Sequence, residues 1–239
     1  MSKKVEYSIC ILSYNRPKLL ARLLRSIDTN QIAAIEIIIC DDCSPKLKLI
    51  RREIEIFKNK STYNISLHVN SSNKGYDFTF NRLINLANGR WIIFMGDDDE
   101  FVSKSLDKLF RFLKSNSSLG YVMKSHKLIH NDIKTETVED FRYFDQNKFY
   151  QPGILAYTDL FRRSVFISGF IIRSKYALEY QNNLFDGSLL SQLYLLAEVT
   201  LKYPSAYFDE PITQQYSCAK YDLNDQMIDR KSKNIIKRV

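Results

Sequence analysis

Short apolar runs alternate with segments of helical periodicity four times along roughly the first 115 residues. The predicted strands cover 7–12, 35–40, 65–69 and 91–95, and the predicted helices cover 18–27, 47–59, 78–87 and a segment that opens at Ser103. This alternation predicts an α/β fold, with a mostly parallel central sheet flanked by helices.

The pattern becomes mixed after Gly120. We predict further strands at 121–123, around 127–130, within 166–172 and at 206–208, and a helix over 189–202. Residues 131–150 are polar and aromatic, which is typical of a loop or an insertion. The second half is therefore expected to extend the first, and a chain of 239 residues suits one such domain.

Polar loops follow three of the predicted strands, at Tyr14, Asp42 and Asp97. The carboxyl ends of parallel strands meet at one edge of a sheet, which is where α/β folds place their ligands. We therefore expect these three loops to form one site.

The loop after the fourth strand is strongly acidic, since Asp97, Asp98, Asp99 and Glu100 follow Gly96 directly. Consecutive carboxylates repel one another, and a hard divalent cation relieves that repulsion because it binds oxygen ligands. A solvated acidic turn that caps the next helix is the alternative. The expected convergence of the three loops favours the cation site.

Composition excludes several classes of protein. The chain has only 7 Gly and 5 Pro, and no run of about 18 apolar residues, so neither a disordered chain nor a membrane-spanning helix is expected. The N-terminus lacks the apolar core of a signal peptide, which predicts a cytoplasmic protein. Cys40 and Cys43 have C-x-x-C spacing, but no second pair completes a zinc site.

The formal net charge is +8, which predicts an anionic partner. Residues 230–239 form a basic segment with a small apolar stripe. This segment predicts peripheral contact with an anionic membrane leaflet, and a solvated tail is the alternative. No nucleic-acid-binding motif occurs, so nucleic acid is not an expected partner.

Four segments together resemble the family 2 glycosyltransferases, which have the GT-A fold. The matching segments are 8–16 with S-Y-N-R, 37–44 with D-D-C-S, 73–89 with N-K-G, and 96–99 with G-D-D-D. The resemblance covers roughly residues 5–115. It implies one GT-A-like domain over 1–239, with a nucleotide-binding half at 1–115, an acceptor-binding half at 116–215 and a basic tail at 216–239.

The resemblance implies a set of residues that contact a nucleotide-sugar: Ser13, Tyr14, Asn15, Arg16, Asp42, Asn81 and Asp97. Tyr14 would lie against the base, and Asp42 would accept a hydrogen bond from a base N–H group. From the residues alone, Asp42 could also cap a turn beside Ser44, and Asn81 could be an ordinary residue on a helix face.

The resemblance also implies Mg²⁺ or Mn²⁺ as cofactor. Asp98 aligns with the chief metal ligand of the family, and Asp97 and Asp99 flank it as a second ligand, a water holder or a sugar contact. Gly96 replaces the first acid of the D-x-D motif, so a different coordination set is expected. The cation would stabilise the charge that develops on the departing nucleoside diphosphate.

An inverting transferase needs a general base for the acceptor hydroxyl. The family's spacing lands on Ser191 and Gln192, and a Gln side chain cannot accept a proton at neutral pH. We predict Asp186 as the base, with a helix N-cap as its alternative role. Three other residues are alternative bases: His126, His130 and Asp159. A protein that is slow, unusual in mechanism or non-catalytic is the remaining alternative.

The resemblance implies sugar transfer from a nucleoside-diphosphate sugar to a glycan or lipid-linked glycan acceptor, in the synthesis of bacterial surface polysaccharide. The expected location is the cytoplasm or the inner face of the plasma membrane. A nucleotidyltransferase is a rival, but residues 13–17 contain no glycine for a phosphate loop. A degenerate module that only binds glycan or partner enzymes is a second rival, which Gln192 favours.

Overall fold

A computed structural model describes residues 5–131 and 136–216 of the chain. The strands are β1 (Tyr7–Ser13), β2 (Ile35–Asp41), β3 (Asn64–Val69), β4 (Trp91–Gly96), β5 (Glu100–Phe101), β6 (Tyr121–Asn131), β7 (Glu136–Phe141), β8 (Lys148–Tyr150), β9 (Phe170–Arg173) and β10 (Ser205–Tyr216). The helices are α1 (Pro17–Ser26), α2 (Leu47–Lys58), α3 (Tyr76–Leu86), α4 (Ser105–Ser115), α5 (Ile154–Leu160), α6 (Ser174–Tyr180) and α7 (Ser191–Lys202). Short 3₁₀ turns cover Ile32–Ala34, Arg162–Val165 and Ile167–Gly169.

All of these strands belong to one sheet, whose main order is β3-β2-β1-β4-β9-β6-β10-β5. β1 lies between β2 and β4, and all neighbours from β3 to β4 are parallel. Beyond β4 the sheet is mixed, because β9 is antiparallel to both of its neighbours while β10 is parallel to β6. β7 and β8 add antiparallel pairs to β6 and β10. The predicted α/β class with a mostly parallel sheet is confirmed.

Alternate residues of the central strands face opposite sides of the sheet. On β1, Ile9 and Ile11 pack in a buried cluster with the apolar faces of α1, α2 and α4. Cys10 points to the other face and packs in a second cluster with α3, α6 and α7. Because helices cover both faces, the central strands are almost continuously apolar in sequence.

The second half corrects several sequence predictions. Residues 131–150, predicted as a loop or insertion, contain β7 and β8. Residues 137–140 of β7 are all exposed, so this stretch shows no alternation of buried apolar and exposed polar positions. The strands predicted at 121–123 and 127–130 are one continuous strand, β6. The strand predicted to end at Phe208 continues through Pro211, where the register between β10 and β6 shifts.

Within residues 5–131 and 136–216, no helix has the length and apolar character needed to cross a bilayer. The basic segment 230–239, for which the sequence predicts membrane contact, lies outside the described residues.

Candidate active site

The carboxyl ends of β1, β2 and β4 lie side by side. Ser13 at the end of β1 pairs with Asp41 at the end of β2, and Leu12 pairs with Gly96 at the end of β4. The three polar loops therefore start from adjacent points on one sheet edge, as the sequence predicts. The backbone N–H of Tyr14 donates a hydrogen bond of 3.0 Å to the Asp97 carboxylate, which ties the first loop to the third.

Asp97 is one of two buried acids of the acidic loop and is only 4% exposed. Its carboxylate accepts hydrogen bonds from the Tyr14 N–H group and from Arg16 Nη1, the latter at 3.2 Å. Burial raises the pKa of Asp97 to about 7, since the pull of the Arg16 charge only partly offsets desolvation and the repulsion from Asp98. Through these hydrogen bonds, Asp97 fixes the position of the Tyr14 loop.

Asp98 is the acid that faces solvent, with a side chain that is 41% exposed. Its carboxylate lies 2.7 Å from Arg16 Nη1, and its backbone carbonyl accepts a 2.7 Å hydrogen bond from Arg22 Nη2. A fixed backbone and an accessible carboxylate make Asp98 the member of the loop best placed to bind a ligand.

Asp99 is the second buried acid of this loop. Its carboxylate accepts a 2.6 Å hydrogen bond from the Ser168 hydroxyl, and that hydroxyl accepts another of 2.9 Å from the Gly96 N–H group. Burial and the neighbouring Asp98 charge raise the pKa of Asp99 well above its usual range, although Ser168 and Lys124 oppose this. Ser168 thus links β4 to the segment before β9.

Lys124 on β6 fixes the backbone of Ser168. The fully buried ammonium donates hydrogen bonds to the Ser168 carbonyl and, at 2.8 Å, to the Thr213 hydroxyl. Burial lowers the pKa of Lys124 to about 7, against the opposing influence of Asp99. The sequence analysis missed Lys124, whose only signal was a lysine directly after the predicted apolar strand 121–123.

The loop after β2 is held by two carboxylates with different partners. The Asp42 carboxylate accepts hydrogen bonds from the Lys74 and Gly75 N–H groups, both at 2.8 Å, and from Asn70 Nδ2 at 2.7 Å. Asp42 therefore fixes the turn that begins α3. The sequence placed a turn-capping role for Asp42 beside Ser44, but Asp41 binds Ser44 instead.

Two side chains of the first loop present unsatisfied oxygens. Ser13 Oγ and Asn15 Oδ1 are buried without a hydrogen-bond partner in the described part of the chain. Asn15 has a φ of 60°, a left-handed conformation that asparagine tolerates. Its N–H group is fixed by a 2.7 Å hydrogen bond to Ser44 Oγ. The predicted contacts of Ser13 and Asn15 with a nucleotide-sugar stay predictions.

Asn81 lies apart from the three strand-end loops. Its side-chain amide donates a 2.9 Å hydrogen bond to the backbone carbonyl of Asn182. This contact joins α3 to the loop that precedes α7. Asn81 therefore connects the two halves of the chain, whereas its predicted contact with the nucleotide-sugar stays a prediction.

The loop before α7 is anchored by Asp77, a residue that the sequence analysis missed. Asp77 is 2% exposed, and its carboxylate accepts hydrogen bonds from the N–H groups of Gly187, Leu189 and Ser191 at 2.9, 2.8 and 3.1 Å. It thereby fills the helix-capping role that the sequence offered to Asp186. In the sequence, Asp77 is simply an acid in the first turn of α3, and this position predicts only a favourable interaction with the helix dipole.

Asp186 itself lies in the exposed part of this loop, where its N–H group donates to the Asn183 carbonyl. Gln192 is buried in the first turn of α7, with Nε2 3.4 Å from the Val165 carbonyl and Oε1 without a partner in the described part of the chain. The position where the family spacing places the base therefore holds a buried amide. Asp186 as the base stays a prediction.

The alternative bases have other partners. His126 is buried between the rings of Phe141 and Phe166, and burial lowers its pKa to about 4. His130 lies 3.2 Å from a carboxylate oxygen of Glu139 on the neighbouring strand. Asp159 accepts a 3.0 Å hydrogen bond from the Tyr150 hydroxyl. All three side chains have protein contacts, and none lines the cleft next to Asp98.

A cleft of about 660 Å³ opens beside Asp98. Both halves of the chain line it, through Tyr76, Asp98, Asp99, Tyr143, Arg162, Arg163, Val165, Phe166, Ile167, Gln215 and Tyr216. Its walls therefore combine two carboxylates, two guanidinium groups and several aromatic rings. A cleft of this size and polarity is suited to a polar substrate of sugar-nucleotide dimensions.

The acidic loop fits one mode of metal binding. No group of three acidic, His or Cys side chains converges on a common point within the described residues, so a cage made only of protein ligands is not formed. Mg²⁺ and similar ions are commonly held by one or two carboxylates together with substrate phosphates. Asp98 suits this mode because its carboxylate is accessible, while Asp97 and Asp99 are buried and engaged.

The model of the family described as "Glycosyl transferase family 2" matches residues 8–178. The chain is 31% identical over 112 residues to abequosyltransferase RfbV of Salmonella typhimurium, covering 47% of this chain and 34% of that protein. It is 27% identical over 140 residues to an uncharacterized glycosyltransferase of Haemophilus influenzae, covering 58% and 43%. The chain thus spans less than half the length of these relatives.

Similar folds occur among solved structures. TarS of S. aureus, residues 1–349 with UDP-GlcNAc, has a TM-score of 0.70 at 16% identity, covering 90% of this chain and 59% of that chain. Mannosyltransferase PcManGT of Pyrobaculum calidifontis, with GDP-Man and Mn²⁺, has a TM-score of 0.57 at 13% identity, covering 86% and 55%. These likenesses confirm the expected GT-A fold.

Proposed function

Because the chain belongs to glycosyltransferase family 2, we propose that it is a metal-dependent glycosyltransferase. It transfers a sugar from a nucleoside-diphosphate sugar to a glycan or lipid-linked glycan acceptor, with inversion, in the synthesis of bacterial surface polysaccharide. The similarity to abequosyltransferase RfbV supports this class of pathway. The solved structures with UDP-GlcNAc and GDP-Man support a nucleotide-sugar as donor.

The observation that carries the proposal is the exposed Asp98 carboxylate, which lies where the β1 and β4 loops meet and where the cleft opens. Asp98 would hold Mg²⁺ or Mn²⁺ together with the oxygens of the donor diphosphate. When bound, the ion supplies positive charge against the nucleoside diphosphate as it departs. Asp97 and Asp99 would keep the loop in place rather than bind the ion directly.

Arg16 has a separate role in this scheme. Its guanidinium contacts both Asp97 and Asp98, and it follows Tyr14, the residue proposed to lie against the base. A bound cation would compete with Arg16 for Asp98. The Arg16 guanidinium would then donate to a phosphate oxygen as well, for which its planar geometry is well suited.

The first experiment is a thermal-shift panel with UDP, GDP, CDP and dTDP, each with Mn²⁺ and with EDTA. A ligand at 100 times its Kd adds about 2.7 kcal/mol of stability, which corresponds to a rise in Tm of roughly 5–10 °C for a chain of this size. We expect one nucleotide to give such a rise with Mn²⁺ and a smaller one with EDTA. If none of the four raises the Tm, the proposal is wrong.

A degenerate, non-catalytic glycan-binding module is the second candidate, and the buried Gln192 at the expected base position favours it. The two candidates differ in turnover. Donor-sugar transfer or hydrolysis that is lost in Asp98→Ala supports the enzyme, and donor binding without any turnover supports the binding module. An Asp186→Asn variant tests the predicted base, because loss of turnover with unchanged donor affinity is expected only if Asp186 accepts the proton.

A further inference from the structure

Two consecutive arginines line the cleft on the side away from the β1 and β2 loops. Arg162 is exposed, and no carboxylate of the described residues lies within ion-pair distance of it. Arg163 is half-buried in the same 3₁₀ turn, Arg162–Val165. The cleft therefore has a wall of two positive charges in addition to its acidic wall at Asp98.

Arg163 is held in place without being neutralised. Its Nη1 donates a 2.6 Å hydrogen bond to the backbone carbonyl of Asp159, and its guanidinium carbon lies 4.9 Å from the ring centroid of Phe144. The Asp159 carboxylate is directed to other partners, the Tyr150 hydroxyl and Lys148. A guanidinium fixed by a carbonyl and a ring keeps its full charge for a ligand.

The sheet order separates this wall from the proposed donor site. The loops proposed to hold the nucleotide follow β1 and β2, and the proposed metal ligand follows β4. The turn that carries both arginines precedes β9, which lies on the opposite side of β4 from β1. Ser168, bonded to Asp99, lies between that turn and β9 in the chain. The arginines thus lie across β4 from the loops proposed to hold the nucleotide.

We propose that Arg162 and Arg163 form a binding site for a phosphate group of the acceptor. The site takes a phosphorylated or diphosphate-linked substrate, because two guanidinium groups that line one cleft match phosphate oxygens in charge and in hydrogen-bonding capacity. Tyr143 and Phe166 also line the cleft, and aromatic rings suit contact with the adjoining sugar. The inference rests on the proposed function, since it assigns the acceptor of the same active site.

Isothermal titration with two phosphate probes tests the site. In this experiment the donor site is first saturated with Mn²⁺ and the nucleoside diphosphate selected in the thermal-shift panel. Glucose 1-phosphate represents a phosphorylated glycan, farnesyl diphosphate represents a lipid diphosphate, and methyl glucoside is the neutral control. We expect at least one phosphate probe to bind and methyl glucoside not to bind. The probe that binds more tightly identifies the source of the phosphate.

Variants locate the binding. Arg162→Gln removes an exposed charge that has no ion-pair partner among the described residues, so we expect the variant to fold. Arg163→Lys keeps the charge but loses the planar fork. Loss of a charge-assisted hydrogen bond predicts roughly a ten- to hundredfold weaker probe affinity in each. Arg52→Gln, which removes an exposed charge from α2, is the matched control and should change the affinity less than twofold.

Two results would overturn the site. Probe affinity that is unchanged in an Arg162→Gln, Arg163→Gln double variant shows that the arginines do not bind phosphate. Competition between the probe and the nucleoside diphosphate shows that they belong to the donor site instead. A different result is expected if the proposed function is wrong. No nucleoside diphosphate would then bind, but probe binding that depends on the two arginines could still be measured.

Discussion

Replacing Asp77 by alanine perturbs the contact that joins the start of α3 to the loop before α7. The buried carboxylate accepts three backbone hydrogen bonds across 110 or more positions in sequence. Two of the donors, Gly187 and Leu189, are in exposed positions and can bind water in the variant. The third, Ser191, is buried and would lose its partner.

The size of the effect follows from these contacts. Loss of a helix N-cap costs about 0.5–2 kcal/mol, and a buried donor left unsatisfied costs about 1–3 kcal/mol. We therefore expect Asp77→Ala to lower the free energy of unfolding by about 2–4 kcal/mol. Asp77→Asn keeps one carbonyl oxygen as acceptor but loses the charge, so it should cost about half as much.

Urea denaturation at pH 7 measures the loss, provided that the slope m is unchanged. Donor affinity and acceptor KM are measured on the same variants, and we expect KM for the acceptor to rise while donor affinity is kept. Asp107→Ala is the matched control, because Asp107 likewise binds a backbone N–H group, that of Asn30, on a distant surface. A change below about 0.5 kcal/mol for Asp77→Ala would refute this reasoning.

Two further predictions concern stability. Folding favours the neutral form of His126, because burial lowers the pKa of its imidazole. The contribution of this residue to the free energy of unfolding is therefore complete above pH 6.5, and it is lost as the pH falls towards 4. The unfolding free energy of the wild type should therefore fall by up to about 3 kcal/mol more than that of His126→Phe between pH 7 and pH 4, and a constant difference between the two proteins would contradict this. Gly89→Ala places a Cβ 2.6 Å from the Ser8 backbone nitrogen. We expect this variant to lower the free energy of unfolding, measured by urea denaturation, by at least about 2 kcal/mol. A change near zero would show that the backbone of β1 moves to make room for the added Cβ.

The sequence was sufficient to predict the parallel half of the sheet. Local apolar runs and helical periodicity determine β1 to β4 and α1 to α4, and parallel pairing then brings the loops at Tyr14, Asp42 and Asp97 together. These inferences succeed because they depend on residues that are close in the chain. The choice of Asp98 as chief metal ligand came instead from the resemblance to the family, and it stays a prediction.

Other parts of the fold and of the site depend on distant contacts that no local pattern reports. β7 is an exposed strand whose pairing with β6 does not require apolar periodicity. Lys124 acquires its role from Ser168 and Thr213, which are 44 and 89 positions away. Asp77 has the local signature of an ordinary acid in a first helical turn, and only the folded structure shows which loop it holds.

Isothermal titration of the nucleoside diphosphate into the wild type and Asp98→Asn, with Mn²⁺ and with EDTA, tests the central claim most directly. The replacement preserves the shape of the side chain and removes the charge that would hold the ion. We predict that Mn²⁺ strengthens binding to the wild type by tenfold or more and has little effect on the variant. An equal Mn²⁺ effect in both proteins would show that Asp98 does not hold the metal and would contradict the proposed site.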